Sequence, residues 1–182
     1  LLVNYHLKNG GGSRYKKFQH FIENILPKNN PTYLIKNKEK MMEDLLVDFS
    51  NFLKSKLLKC DVAKKLKELK FKTLKSNWFV VSGSDQQELR DLFLKRDIYE
   101  YFDGGIYGSP LSKQEIITNL INMKNVYRPA LFIGDSKLDH EVAKKFNFDF
   151  YFISGWSEFN EYKDYCFKEK IPIYKTLSGI IN

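Results

Sequence analysis

The sequence is poor in the residues that build disulfide scaffolds and zinc sites. It has only two cysteines, Cys60 and Cys166, and neither belongs to a Cys-x-x-Cys pair or lies near a histidine at ligand spacing. No window reaches the roughly 18 uninterrupted apolar residues that a membrane-spanning helix needs. The first residues also lack the charged-then-apolar order of a signal peptide. We therefore expect a cytoplasmic protein with no membrane partner and with buried, reduced thiols.

The composition is that of a globular, basic protein. The chain has 182 residues, 43% of them hydrophobic, which suggests one domain, or a core with a modest insertion. Its net charge of +8 comes mainly from lysines, many of them within residues 54–75. These lysines alternate with leucines and a valine at helical spacing, which indicates the solvated face of an amphipathic helix. No basic-aromatic motif accompanies them, so we expect no nucleic-acid partner.

The first seventy or so residues have helical patterns throughout. Residues 1–8 read as the end of a helix that stops at Asn9 and at the three glycines that follow. Ser13 is placed to cap the next helix, and residues 39–59 form a long amphipathic helix. Asp61 is placed to cap a further helix that runs to about residue 70.

After residue 73 the pattern changes to alternating strands and helices. We predict strands at 78–81, 130–133, 150–153 and 171–174, and helices at 86–96, 113–123, 138–146 and 158–168, with a glycine-rich loop at 101–112. Strands that alternate with helices pair in parallel and are covered on both faces. The sequence therefore predicts an α/β fold, a three-layer sandwich that follows a helical N-terminal part.

Two carboxylates follow the second predicted strand. Asp135 comes directly after the apolar run, and Asp139 lies four positions later at the start of a helix. Hard oxygen ligands on one side of a loop suit Mg²⁺, which takes one or two protein carboxylates and completes its octahedron with water and substrate phosphate. The alternative is that both carboxylates only favour the helix N-terminus electrostatically.

Two further polar groups lie where structural elements begin or end. Ser82 and Gly83 follow the first predicted strand, in a turn whose hydroxyl and amides suit a phosphate group, although an ordinary helix cap at Ser84 or Asp85 is the simpler reading. Lys113 begins a helix, where a cation is unfavourable. Its position therefore calls for a compensating anion, unless the side chain is simply solvated.

In this order, the strand-end hydroxyl, the lysine at a helix start and the Gly-Asp-x-x-x-Asp strand end resemble motifs two, three and four of the haloacid dehalogenase-like phosphohydrolase superfamily. The segment 102–110 ahead of Lys113 is similar to the superfamily's usual approach to its lysine. The resemblance implies a Rossmann-like core of residues 74–182 and a helical cap of residues 1–73. It also implies an Mg²⁺-dependent phosphohydrolase that acts on a small phosphorylated metabolite through an aspartyl-phosphate.

The resemblance implies a role for each matching residue. Ser82 and the amide of Gly83 would bind the transferring phosphoryl group, and Lys113 would neutralise its charge. Asp135 would ligate Mg²⁺, while Asp139 would either share the metal or orient Lys113.

The sequence contains no Asp-x-Asp, the motif that supplies the superfamily's nucleophile and general acid at the end of its central strand. We therefore expect this motif and its strand upstream of Leu1, and no turnover by these 182 residues alone. Without the central strand, the strands on either side of it would keep unpaired edges.

Other functions and one further site residue stay open. Arg14, just after the glycines, is a candidate to reach the distal part of the substrate, although exposed basic residues are usually only solvated. The rivals are a phosphomutase on the same scaffold and a non-catalytic binding module that has lost the chemistry.

Overall fold

The computed structural model describes residues 1–30 and 37–181. Within them the chain forms ten α-helices and five strands. In chain order these are Leu2–Lys8 (α1), Arg14–His20 (α2), Leu26–Asn29 (α3), Lys38–Lys59 (α4), Leu66–Lys72 (α5), Phe79–Asp85 (β1), Gln86–Lys95 (α6), Gly105–Ser109 (β2), Lys113–Asn122 (α7), Leu131–Gly134 (β3), Lys137–Lys145 (α8), Asp149–Ile153 (β4), Tyr162–Glu169 (α9), Ile173–Tyr174 (β5) and Ser178–Ile181 (α10). A π-helical turn, Phe21–Ile25, joins α2 to α3, and a 3₁₀ turn, Tyr99–Tyr101, precedes β2.

The helices α1 to α5 all precede the first strand, as the sequence predicts. The expected cap at Asp61 is wrong, because α5 begins at Leu66, after Lys65 with a positive φ of 62°. Asp61 suggested a helix start because aspartate commonly caps helices, but the same residue type is also common in turns. Ser13 occupies the predicted N-cap position of α2, but its side chain makes no capping hydrogen bond.

All five described strands pair in parallel, in two sheets with the orders β1-β2 and β3-β4-β5. Val80 lies opposite Ile106 in the first sheet, and Phe132 lies opposite Phe150 in the second. The predicted α/β fold with parallel strands is therefore confirmed. Strand β2 lies inside the segment that we expected to be a loop. The prediction was wrong because the strand has two glycines and a single buried apolar residue, Ile106, a pattern too weak to indicate a strand.

The two sheets are not joined by a backbone ladder. Across residues 1–30 and 37–181, β1 pairs only with β2, and β3 pairs only with β4. One edge of each of these strands is thus without a strand partner. This is the arrangement expected when the central strand is not among the residues of the sheet.

A cluster of buried hydrophobic residues lies between the second sheet and the helices α8 and α9. It contains Ala143, Phe150, Phe152, Cys166 and Ile171. The prediction of buried thiols is confirmed for Cys166 and wrong for Cys60, which is exposed. The cluster holds β3 and β4 firmly against α8, and so fixes the loop that carries the two candidate metal ligands. Across the described parts of the chain, no helix is long and apolar enough to cross a membrane.

Candidate active site

Asp139 is the most heavily hydrogen-bonded carboxylate at the end of β3. One oxygen, Oδ2, accepts hydrogen bonds from Ser136 Oγ at 2.7 Å, from Ser136 N at 3.2 Å and from Asp135 N at 3.3 Å. Ser136 caps α8 in return by accepting from Asp139 N at 3.2 Å. This reciprocal capping box fixes the carboxylate at the helix start.

Glycine at position 134 allows Asp139 to take this position. A Cβ at Gly134 would lie 2.6 Å from Asp139 Cγ and 2.7 Å from its Oδ2. The carboxylate therefore folds back over the strand end, in space that any other residue would occupy. This gives the glycine of the Gly-Asp-x-x-x-Asp pattern a physical reason.

The second oxygen of Asp139 meets Lys113. Lys113 Nζ donates a hydrogen bond of 2.5 Å to Asp139 Oδ1, and the two side chains are only 10% and 3% exposed. Lys113 is the first residue of α7, where the helix dipole disfavours a cation, and the carboxylate supplies the compensating anion. The pair joins the start of α7, next to the first sheet, to the start of α8, next to the second.

Asp135 lies beside this pair, and its carboxyl group has a raised pKa. Burial, followed by the negative charge of Asp139, raises the pKa of the Asp135 carboxyl above its usual value, and the charge of Lys113 only partly offsets this. Its backbone carbonyl accepts a hydrogen bond of 2.6 Å from Ser157 Oγ, which holds the loop. A half-buried carboxylate whose ionised form is disfavoured is well suited to bind a cation.

The donor set allows a test of the expected Mg²⁺ site. Among the described residues no group of three or more His, Cys, Asp or Glu side chains is placed to hold a metal. Both oxygens of Asp139 already accept hydrogen bonds, so the Asp135 carboxylate is the better ligand of the two. One hard oxygen ligand at a strand end fits Mg²⁺, which commonly takes one or two carboxylates and fills the remaining positions with water and substrate phosphate.

A glycine segment, Gly10 to Gly12, lies between the ends of β1 and β3. A Cβ on Gly83 would lie 2.6 Å from the Gly12 carbonyl oxygen and 2.9 Å from that of Gly11. On the β3 side of the segment, a Cβ on Gly11 would collide with Ser136 Oγ and lie 3.4 Å from Lys113 Nζ. Gly11 also has a φ of +74°, which favours glycine. The glycines thus allow the backbone to pass close to both strand ends.

Ser82 lies in β1, next to Gly83. Its Oγ accepts a hydrogen bond of 3.1 Å from Ser84 N. The predicted turn at Ser82 and Gly83 is wrong, because both residues belong to β1, which runs to Asp85 with a register irregularity after Val81. The cap of α6 is Asp85, which accepts from Glu88 N at 3.0 Å. Lys113, Asp135 and Asp139 therefore lie together, and Gly83, in β1, packs against the glycine segment beside them. The convergence of Ser82 with these three residues stays a prediction.

Comparison with known proteins decides the family. A family model described as haloacid dehalogenase-like hydrolase matches residues 6–153. The chain belongs to the haloacid dehalogenase-like hydrolase family. This hydrolase also resembles the 1.7 Å crystal structure of a proposed phosphatase from Clostridium difficile, with a TM-score of 0.57, 20% identity, and coverage of 98% of this chain and 86% of the other. At that identity the likeness establishes the fold alone, and no curated protein matches the sequence.

Arg14 of this hydrolase contacts protein groups on both sides. Its Nη1 donates to Glu88 Oε2 at 2.7 Å, and its guanidinium lies 4.7 Å from the centre of the Phe49 ring. The side chain is only 10% exposed. Substrate binding by Arg14 stays a prediction, and these contacts do not favour it.

Three charged or polar residues of this hydrolase near the site were missed at the sequence level. Lys17 Nζ lies 3.0 Å from His6 Nδ1, and His6 Nε2 lies 3.0 Å from Glu158 Oε2. The three residues come from α2, α1 and the loop after β4, which share no motif. The available signal is that Glu158 lies in the loop that follows a strand, as Asp135 does.

Proposed function

We propose that this chain belongs to an Mg²⁺-dependent phosphatase that hydrolyses a small phosphorylated metabolite. The observation that carries the proposal is the buried Lys113–Asp139 ion pair beside Asp135, whose carboxyl pKa is raised by burial and by the charge of Asp139. Lys113 provides a fixed cation and Asp135 a ligand for a metal ion, and positive charges of this kind stabilise the phosphoryl group of a phosphate ester during hydrolysis. Membership in a hydrolase family supports the same conclusion.

We assign a role to each residue of the site. Lys113, held by Asp139, donates to a phosphoryl oxygen and stabilises its negative charge. Ser82 Oγ and the Gly83 amide approach the phosphoryl group from the side of β1. Asp135 supplies a ligand to the metal, which would neutralise charge on the phosphoryl oxygens when bound. Asp139 is a positioning residue, since both of its oxygens are engaged by protein groups.

The nucleophile in this proposal is an aspartate carried by a segment that precedes Leu1. The free edges of β1 and β3 support the proposal, since a parallel strand between them would bring its carboxyl end to Lys113 and Asp135. The carboxylate would attack phosphorus and form an aspartyl-phosphate as the P–O bond to the alcohol breaks, and the second aspartate of the Asp-x-Asp motif would donate a proton to the leaving alcohol oxygen. Water would then hydrolyse the aspartyl-phosphate and release phosphate.

Residues 1–73 would act as a cap over the site. Ser13 Oγ and Ser109 Oγ are 2.8 Å apart in a buried contact, and Tyr15 OH donates to Asp85 Oδ2 at 2.8 Å. Burial and the Asp85 hydrogen bond raise the pKa of Tyr15 to about 12, so its hydroxyl stays a donor. Contacts of this kind hold the helical segment on the α/β core at the carboxyl ends of the strands.

The test compares the 182-residue chain with the longer gene product. Each is assayed for hydrolysis of an aryl phosphate, with Mg²⁺ and with EDTA. The proposal predicts metal-dependent turnover by the longer protein and none by the chain alone. Turnover by the 182 residues alone would place the nucleophile among them, and a longer protein that lacks Asp-x-Asp and turnover would favour the non-catalytic rival.

A further inference from the structure

Lys17 is a second cation near the candidate active site. It lies on α2, the helix that follows the glycine segment, and its side chain is half-buried. A Cβ at Gly12 would lie 3.9 Å from Lys17 Cε, and one at the adjacent Gly11 would lie 3.4 Å from Lys113 Nζ. The ends of both lysines therefore lie along the same short stretch of backbone.

The hydrogen bonds of Lys17 hold it in place without neutralising it. Lys17 donates to His6 Nδ1 at 3.0 Å, which requires that this nitrogen carry no proton. His6 then carries its proton on Nε2 and donates to Glu158 Oε2 at 3.0 Å. Lys17 thus bonds a neutral imidazole, and the Glu158 carboxylate lies one residue farther away.

The two ammonium groups interact unfavourably. Burial lowers the pKa of Lys17, the charge of Lys113 lowers it further, and Glu158 partly offsets both. Asp139 already accepts hydrogen bonds from Lys113 and Ser136, so its negative charge compensates little of the positive charge on Lys17. An anion lying near both lysines would relieve this repulsion.

We infer, on the basis of the phosphatase function proposed above, that Lys17 selects substrates with a second anionic group, a carboxylate or another phosphate, in addition to the phosphate that Lys113 binds. The phosphoryl group occupies the Lys113 side of the glycine segment, and the distal anion of the substrate contacts the Lys17 ammonium on the cap side. His6 and Glu158 are positioning residues. They orient the ammonium from the rim, where their side chains are 44% and 61% exposed.

The alternative role for Lys17 is a purely structural link between helix α1, α2 and the loop after β4. Such a link would affect folding stability but would not distinguish one ligand from another. The two roles can therefore be separated by ligand selectivity, which a structural contact does not change.

The experiment measures binding of non-hydrolysable probes to the full-length protein by titration calorimetry in Mg²⁺. The probes are phosphonoacetate, phosphonopropionate and phosphonobutyrate, each paired with the alkylphosphonate of equal chain length. Since a charge-assisted hydrogen bond distinguishes the members of a pair, we expect at least one phosphonocarboxylate to bind about tenfold more tightly than its partner. The length series locates the distance between the two anion positions.

In Lys17→Gln we expect the two members of each probe pair to bind about equally, because the charge contact is absent. Lys16→Gln removes the same charge from an exposed neighbour on the same helix and should keep it. Glu158→Gln, at an exposed position, keeps Lys17 but weakens the hydrogen bond that orients His6, and should reduce the preference by about threefold, the effect of weakening one hydrogen bond. It serves as the second test if Lys17→Gln does not fold. No preference in the unsubstituted protein, or a preference unchanged in either Lys17→Gln or Glu158→Gln, would overturn the inference.

Failure of the proposed function has a different signature. A protein that lacks aryl phosphatase turnover but shows the Lys17-dependent preference would have the anion site without the proposed chemistry. A protein that turns over aryl phosphate with Mg²⁺ but shows no such preference would keep the function and lose only the role of Lys17.

Discussion

Lys113 and Asp139 form a buried ion pair at 2.5 Å, although they lie on different helices and are separated by 26 positions in the sequence. Ser136 holds the other carboxylate oxygen at 2.7 Å, so the pair is fixed from both sides. A lysine held this way keeps its ammonium at one position. Pre-positioned charge of this kind is a major source of rate enhancement in phosphoryl transfer.

The first prediction concerns the stability of this pair. Lys113→Met leaves a buried carboxylate without its cation, and Asp139→Asn leaves a buried cation without its anion. We expect each to lower the free energy of unfolding by about 3 kcal/mol, the low end for breaking a buried pair. The double variant should lose clearly less than the sum, and urea unfolding measures all three. Additive losses would mean that the two side chains are not coupled.

The second prediction concerns Asp135 and pH. Its folded pKa is raised by burial and by Asp139, so its protonated form favours folding at low pH, and that contribution is lost as the pH rises through the folded pKa. At neutral pH without divalent cations, Asp135→Asn should therefore raise the melting temperature, by about 2 °C for ~1 kcal/mol in a chain of this size. The gain should shrink toward acid pH.

Added Mg²⁺ provides the complementary measurement on the same variant. Because Asp135 is the proposed ligand, the metal should stabilise the unsubstituted protein in proportion to its occupancy and leave Asp135→Asn unaffected. Lys16→Gln is the control that changes charge away from the site. Equal stabilisation of both proteins by Mg²⁺ would remove Asp135 from the metal site.

A third prediction concerns the glycine segment. Gly83→Ala would bring a methyl group to 2.6 Å from a backbone oxygen of Gly12, which only a backbone shift can relieve. We expect a loss of about 1–3 kcal/mol, as for other overpacked sites. Gly10→Ala is the matched control, since its nearest contacts would be at 3.9 Å and its φ is not in the left-handed region. A Gly83→Ala protein as stable as Gly10→Ala would contradict the close approach.

The fourth prediction separates two roles for Arg14. Its pair with Glu88 at 2.7 Å and its contact with the Phe49 ring predict a structural role. Arg14→Ala should lower the free energy of unfolding by about 2 kcal/mol, combining a part-buried charged hydrogen bond with lost cation–π contact. Thermal and urea unfolding check this against Lys16→Ala. Unchanged stability with a raised KM would instead support substrate contact.

Much of this site could be predicted from the sequence because parallel strands place their carboxyl ends at one edge. Asp135 follows an apolar run directly, which brings it to the edge of the sheet, and Asp139 lies four positions later in the first turn of the next helix. Lys113 at a helix start needed an anion for a local electrostatic reason, and the structure provides one in Asp139. These inferences depend on short-range physics that a sequence displays.

The features that the sequence did not predict depend on long-range contacts. Strand β2 is stabilised by pairing with β1, since its glycine-rich sequence has little intrinsic preference for a strand. The hydrogen bond from Arg14 to Glu88 joins residues that are 74 positions apart. The contact from Lys17 through His6 to Glu158 joins three distant segments. No local pattern marks any of these pairs.

The most direct test of the account is the turnover of an aryl phosphate by the full-length protein and three variants. With Mg²⁺ present we expect activity in the unsubstituted protein and in Lys16→Gln. In Lys113→Met and Asp135→Asn we expect kcat to fall by at least about 100-fold, the cost of losing one charge-stabilising group. EDTA should abolish all turnover. Activity that persists in Lys113→Met, or that does not depend on the metal, would contradict a phosphate site built on Lys113, Asp135 and Asp139.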